Sequence, residues 1–168
     1  QKINYGGIIT SLKVPDKNGE TEDIVLGYNK LEDYINENPY FGSIIGRYGN
    51  RIAKGKFNLN GNQYTLATNN DENHLHGGNI GFDKVIWEAE TKINSNSSSL
   101  ILKYLSRDME EGYPGNLYTT VTYKITNDNS VEIKYEAQTD KTTVINLTQH
   151  SYFNLSGDFN QSILNHKV

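Results

Sequence analysis

The sequence predicts an all-β fold, and three observations carry that prediction. Strand formers are abundant: 12 Tyr, 5 Phe and 1 Trp, with frequent Val, Ile and Thr, in 168 residues. Several short segments alternate apolar and polar residues with a period of two, which buries one face of a strand and wets the other. Helical periodicity is nearly absent. The length suits one domain with a real core and falls short of a clear two-domain chain, so residues 1–168 are read as a single domain.

The elements follow in chain order. LEDYINEN (31–38) is the one helix candidate, two turns long, and Pro39 cannot continue it. KFNLNGNQYTL (56–66) reads as a hairpin, because Asn60-Gly61 accepts the positive φ of a two-residue turn. That turn sets Phe57 opposite Tyr64. NSNSSS (94–99) reads as a polar loop, and SLILKYL (99–105) as a strand. LYTTVTYKITNDNSVEIKYEAQ (117–138) is a second hairpin. In its first arm Leu117, Val121, Tyr123 and Ile125 share a face; in its second, Val131, Ile133, Tyr135 and Ala137 alternate with Glu132, Lys134 and Glu136. TTVINLT (142–148) reads as a further strand, and SILNHKV (162–168) as the opening of another. With Gln in first place and no terminal punctuation, both ends read as cut. Many closely spaced strands with few helices predict a sandwich or barrel.

Composition excludes several classes. The net charge is -4, and Lys and Arg are not clustered, which disfavours nucleic-acid binding. No apolar run reaches the ~18 residues of a membrane-spanning helix. The start, QKINYGGIIT, lacks the basic-then-apolar pattern of a signal peptide. Without cysteine there is no disulfide, thiolate nucleophile or Cys-based zinc site. The sequons at Asn96, Asn146, Asn154 and Asn160 are what an Asn-rich chain produces by chance, and a cytoplasmic location is expected.

Four stretches hold residues with chemistry. GSIIGRYGNRIAKGKF (42–57) lacks the GxGxxG spacing and the following helix of a dinucleotide loop. Its Arg47 and Arg51 share a face if the segment is extended, where two rigid guanidiniums can hold hydroxyls or carboxylates, or simply pair with surface acids. In NHLHGGNIGFDKVIW (73–87), His74 and His76 point the same way on a strand, which suits a metal given a third ligand such as His150. The competing reading buries one imidazole in hydrogen bonds and turns the other toward a cavity at Gly77-Gly78. In SRDMEEGYPGNL (106–117), Asp108, Glu110 and Glu111 precede a Pro-Gly turn, as solvated loop acids in preference to site residues. In TQHSYFNLSG (148–157), His150 has Thr148, Gln149 and Ser151 on its polar flank and Tyr152 and Phe153 on its aromatic one. Histidine suits general acid or base work near neutral pH, and a structural core histidine fits the same pattern. Aromatic faces with Arg, His and Asn donors suit a neutral, hydroxyl-rich ligand such as a sugar.

Together these stretches resemble the aldose 1-epimerase (galactose mutarotase) family. The matching pieces are NYGGIITSLKVPDKNGETEDIVLGY (4–28), YFGSIIGRYGNRIAKGKFNLNG (40–61), NHLHGGNIGFDKVIWEAE (73–90), EEGYPGNL (110–117) and NLTQHSYFNLSG (146–157). The resemblance implies a β-supersandwich that interconverts the α and β anomers of free hexoses, D-galactose and D-glucose, with no metal or cofactor. It implies His150 of QHSYFNL as general acid, and Arg51 of GNRI and His76 of LHGG as ligands of sugar hydroxyls. Under the same resemblance Asn50, beside Arg51, is a weaker candidate for holding the sugar. The family's carboxylate base is a Glu much nearer the C-terminus, past Val168, so the chain is expected to be the N-terminal portion of such a domain, holding the acid side of the site without the base. Neither Glu110 nor Glu136 sits in a motif that would replace it. The alternatives are a non-catalytic carbohydrate-binding module or a sugar-phosphate epimerase on the same fold, the latter needing extra cations for the phosphate, and a histidine-based metal enzyme. Oligomeric state is left open.

Overall fold

Period-two alternation forms the largest sheet of the computed structural model, which describes residues 1–36 and 38–167. In chain order, β1 (Lys13–Pro15) pairs antiparallel with β2 (Thr21–Asp23), and one helical turn follows, α1 (Leu31–Ile35). Then come β3 (Ile44–Ile45), β4 (Arg51–Ile52), the hairpin β5 (Lys56–Leu59) with β6 (Asn62–Thr65), and β7 (His74–Leu75). Four longer strands follow: β8 (Glu88–Ile93), β9 (Ser97–Ser106), β10 (Leu117–Thr126) and β11 (Val131–Thr139). They build one antiparallel sheet in the order β11-β10-β9-β8. The last strand, β12 (Thr148–Gln149), returns to pair with β3, and β7 pairs with β4.

Both expected hairpins form. Asn60 and Gly61 take φ of 51° and 80°, and the Phe57 and Tyr64 rings stack with centroids 5.1 Å apart. On the large sheet, Leu102, Leu117, Val121 and Tyr123 bury one face against Ile9, Val25, Ile44, Phe82 and Trp87. The other face carries the pairs Lys103–Glu90, Lys124–Glu132 and Lys134–Glu136, which as exposed pairs contribute little beyond solubility. Ile125 and Val131 lie on the apolar face but at its far end, where they remain exposed.

Four expectations need correction. The helix covers 31–35, not 31–38: Asn36 leaves helical geometry at ψ -155°, and Glu37 lies outside the described residues. Only Tyr34 of α1 is buried, its hydroxyl accepting the Tyr28 N–H at 2.7 Å, which is too little packing to extend a short helix. The polar loop is shorter than 94–99, because Asn94 Oδ1 accepts the N–H groups of Asn96 and Ser97 and closes the turn before β9 starts. TTVINLT contributes only Thr148 to a strand. The Asn146 N–H donates to the Arg47 carbonyl at 3.0 Å and its own carbonyl accepts the Gly49 N–H at 2.7 Å, so this segment crosses the glycine-rich loop instead of joining a sheet. Residues 162–167 form turns, with no strand, and Val168 lies outside the described residues. Among the described residues no helix is long and apolar enough to cross a membrane.

One buried cation ties these pieces together. Arg47 is 2% exposed. Its guanidinium donates to the Ser106 hydroxyl (2.6 Å from Nη2) and to the carbonyls of Pro114 (3.0 Å), Gly115 (2.9 Å) and Arg107 (3.1 Å). Ser106 in turn donates to Glu110 at 2.7 Å, and the Tyr104 hydroxyl donates to the same carboxylate at 3.0 Å. The flat fork reaches acceptors on several sides at once, which a single ammonium cannot do. Arg47→Lys is therefore expected to keep the charge and still lower folding stability by about 2 kcal/mol or more, as buried carbonyls lose their donors; urea unfolding of the two proteins checks this.

Candidate functional site

Two short strand pairs place the chemistry. Pairing of β12 with β3 brings residue 150 beside Ser43, whose carbonyl accepts the His150 N–H at 2.9 Å, while the His150 carbonyl accepts the Gly42 N–H at 3.1 Å. Pairing of β4 with β7 sets Arg51 opposite Leu75 and carries the chain into His76. There the backbone turns sharply: His76 has φ 52° and Gly77 φ 89°. A Cβ on Gly77 would lie 1.7 Å from the Gly46 carbonyl oxygen, so only glycine allows this approach.

The result is an open depression of about 820 Å³ lined by Tyr40, Asn50, Arg51, His76, His150 and Tyr152, among others. The His76 and His150 rings meet edge-to-face with centroids 5.2 Å apart. Tyr152 lies 5.1 Å from the His150 ring. His76 Nδ1 accepts the Asn50 N–H at 2.9 Å, so in its neutral form His76 carries its proton on Nε2 and is a donor there. Burial holds its pKa down to about 4, and the neighbouring His150 and Arg51 add to the shift. Arg51 is exposed; its Nε donates to Asn70 Oδ1 at 2.8 Å and its Nη1 to Asn50 Oδ1 at 3.3 Å. Those two bonds aim the fork and leave further N–H donors open. The arrangement offers a neutral imidazole donor, a guanidinium, an amide and a second imidazole, which suits several hydroxyls of one small molecule.

His150, His76, Arg51 and Asn50 thus meet in one depression. Other pairings read from spacing do not hold. His74 and His76 diverge: His74 is fully buried, with Nδ1 2.7 Å from the Ala67 carbonyl and Nε2 2.6 Å from the Tyr113 hydroxyl. The reading of a metal pair assumed a strand through both, but β7 ends at Leu75. Among the described residues no group of three His, Asp or Glu side chains is arranged to hold a metal. Arg47 and Arg51 also part, one buried and one exposed, because Asn50 takes φ 63° between them and breaks the extended run.

The loop acids are not merely solvated. Glu111 accepts the N–H groups of Asn79 (3.0 Å) and Ile80 (2.9 Å), Glu110 holds Ser106, and Asp108 accepts from Gly115 N–H and pairs with Lys141 at 2.9 Å. On the other side, Gln149 bonds the Gly42 carbonyl and Ser151, so the polar flank of His150 fixes backbone and leaves the imidazole to its aromatic neighbours. Sequence reasoning missed Tyr40 and Asn70. Tyr40 adjoins the 42–57 motif but adopts a positive φ that no pattern announces, and Asn70 lies in a run of similar polar residues.

The low pKa of His76 sets a testable sign. The folded state resists protonating His76, while the unfolded chain protonates near the ordinary 6.5. Its contribution to stability is therefore intact above about 6.5 and is lost as pH falls toward 4. In an NMR titration, the His76 ring is expected to stay neutral through pH 5 and to protonate near 4.

Comparison with known proteins adds the family to which the chain belongs. A family model described as aldose 1-epimerase matches residues 1–168. A galactose mutarotase of Sus scrofa is 47% identical over 166 residues, covering 99% of this chain and 47% of the relative. The crystal structure of an aldose epimerase homologue from C. elegans superposes with a TM-score of 0.83 at 31% identity, over 91% of this chain and 46% of that one. A galactose 1-epimerase structure from Lactobacillus acidophilus NCFM gives 0.80 at 32% identity, over 90% of this chain and 44% of that one. The chain spans about half the length of the curated relatives it matches. Its all-β architecture is that of the galactose mutarotase-like proteins, as the resemblance implied. With a family model across its whole length and its motif residues gathered in one depression, the chain belongs to the aldose 1-epimerase family.

Proposed function

We propose that this site opens and recloses the ring of a free hexose and so interconverts its α and β anomers. The observation that carries the reading is the pair of imidazoles 5.2 Å apart, one of them locked as a neutral donor by the Asn50 N–H, beside an aimed guanidinium. The names of the mutarotase relatives support D-galactose as substrate, and D-glucose differs from it at one hydroxyl.

The steps follow from the residue types. Arg51, His76 through Nε2, and Asn50 hold sugar hydroxyls. His150 in its protonated form donates to the ring oxygen as the C1–O bond breaks, while the anomeric hydroxyl gives its proton to a base. The open aldehyde turns about C1–C2 and recloses on the other face, with both proton transfers reversed. No electrons leave the sugar, so the step needs no redox partner. Among the described residues that line the depression none is a carboxylate. These residues therefore supply the acid and the sugar-holding half, and the base is a carboxylate from outside this lining.

Exchange between galactose anomers, followed by NMR on the protein in its full encoded length, tests the reading. His150→Gln is expected to slow exchange by ~100-fold or more with sugar binding retained, the usual scale for a general acid. Exchange at the wild-type rate in that variant would refute the acid role. Arg51→Ala is expected chiefly to raise KM; an unchanged KM removes Arg51 from the sugar ligands. Sugar binding without any exchange in the parent protein would instead make the chain a carbohydrate-binding module.

A further inference from the structure

We propose that Tyr40 is a positioning residue of this site: its ring holds the His150 imidazole in register with His76. The proposal rests on the anomer-exchange reading above and concerns how the acid is aimed. His76 is fixed through Nδ1 by the Asn50 backbone. His150 differs: its backbone is anchored at Ser43 and Gly42, and among the described residues its imidazole packs against the rings of Tyr40, His76 and Tyr152. Among the described aromatic residues Tyr40 is the one that packs against both histidines, with its centroid 4.7 Å from His76 at an interplanar angle of 79° and 5.6 Å from His150 at 34°. The three rings form a closed triangle, and Tyr152, 5.1 Å from His150, adds a further wall.

Tyr40 is itself held in an uncommon conformation. Its φ is 64°, a region that non-glycine residues seldom adopt and that persists where surroundings enforce it. The Ser43 N–H and hydroxyl both donate to the Tyr40 carbonyl, at 3.2 and 2.9 Å, and close the turn. The Lys84 ammonium lies 5.6 Å from the ring centroid and is paired with buried Asp83 at 3.1 Å. The ring is thus braced by a cation–π contact while it presents itself to both imidazoles. Among the described residues it is the carbonyl of Tyr40 that is hydrogen-bonded, which leaves the ring face as the part that meets both imidazoles. Misplacement of a reacting group by about 1 Å can cost 100-fold in rate, which is the scale on which an unbraced imidazole would tell.

The test uses Tyr40→Gly and Tyr40→Phe, with His150→Gln as the control, in the full-length protein. Glycine adopts φ 64° without strain, so Tyr40→Gly removes the ring and leaves the turn intact; Tyr40→Leu gives a second ring-free variant should glycine loosen the loop. The readouts are kcat and KM for galactose exchange, and the His150 and His76 imidazole resonances of the sugar-free protein. We expect ring removal to lower kcat by about 10- to 100-fold with KM nearly unchanged, and to shift and broaden the His150 signal. Tyr40→Phe is expected to restore most of the rate. Wild-type kcat with an unmoved His150 signal after ring removal overturns the proposal. So does a rise in KM alone, which would make the ring a sugar contact, or a Phe variant as slow as the ring-free ones, which would assign the effect to the hydroxyl. If His150→Gln exchanges like wild type, the acid role of His150 fails by itself, and the His150 resonance still decides the Tyr40 assignment.

Discussion

The buried guanidinium of Arg47 is the constraint on which the rest of this structure depends. It sits between β3, whose partner β12 leads into His150, and β4, which carries Arg51. Its bonds reach across to Ser106, Arg107, Pro114 and Gly115, so both walls of the depression are tied to the same loop of the large sheet. Desolvating a cation is costly, and the carbonyls and hydroxyl around it offset that cost only when all are in place. Glu110 completes the set through Ser106. The strands that carry the site are two residues long and could not hold their register by ladder hydrogen bonds alone. The network beneath them supplies what the short ladders lack.

Two residue types appear twice in the motifs and divide the labour both times. Arg47 and His74 are buried and structural, the first under the loops and the second clamped between Ala67 and Tyr113. Arg51 and His76 stand in the depression. The same chemical group serves as scaffold where its nitrogens meet buried protein partners and stays available where its donors are left open. Local charge follows the same division: burial, with His150 and Arg51 beside it, keeps the His76 imidazole neutral and a donor through Nε2.

The legible part of the sequence was the part governed by short-range rules. Asn60-Gly61 set its hairpin and the Phe57–Tyr64 pair, and the alternation in 117–138 set the sheet and its buried face. The clustering of His150, His76, Arg51 and Asn50 was legible only through family resemblance, because nothing local brings residue 150 to residue 76. Patterns failed where the backbone leaves the regular regions. Positive φ at Asn50 and His76 separates residues that a straight strand would align, and positive φ at Tyr40 lifts that ring into the site. The strand expected at 142–147 fell to a long-range competitor, the carbonyl of Arg47, which takes the N–H of Asn146.

Gly77 has a consequence for how such a site can vary. The turn that delivers His76 to the depression passes so close to the Gly46 carbonyl that it packs main chain against main chain. Neither glycine has room for a side chain there, so the path of that turn lies beyond the reach of point substitution. Arg51, at the exposed side of the depression, is aimed instead by the side chains of Asn50 and Asn70, which substitution can reach. The chain separates a part that is geometrically closed to change from a part that is open to it, and recognition can drift along the second while the first stays still.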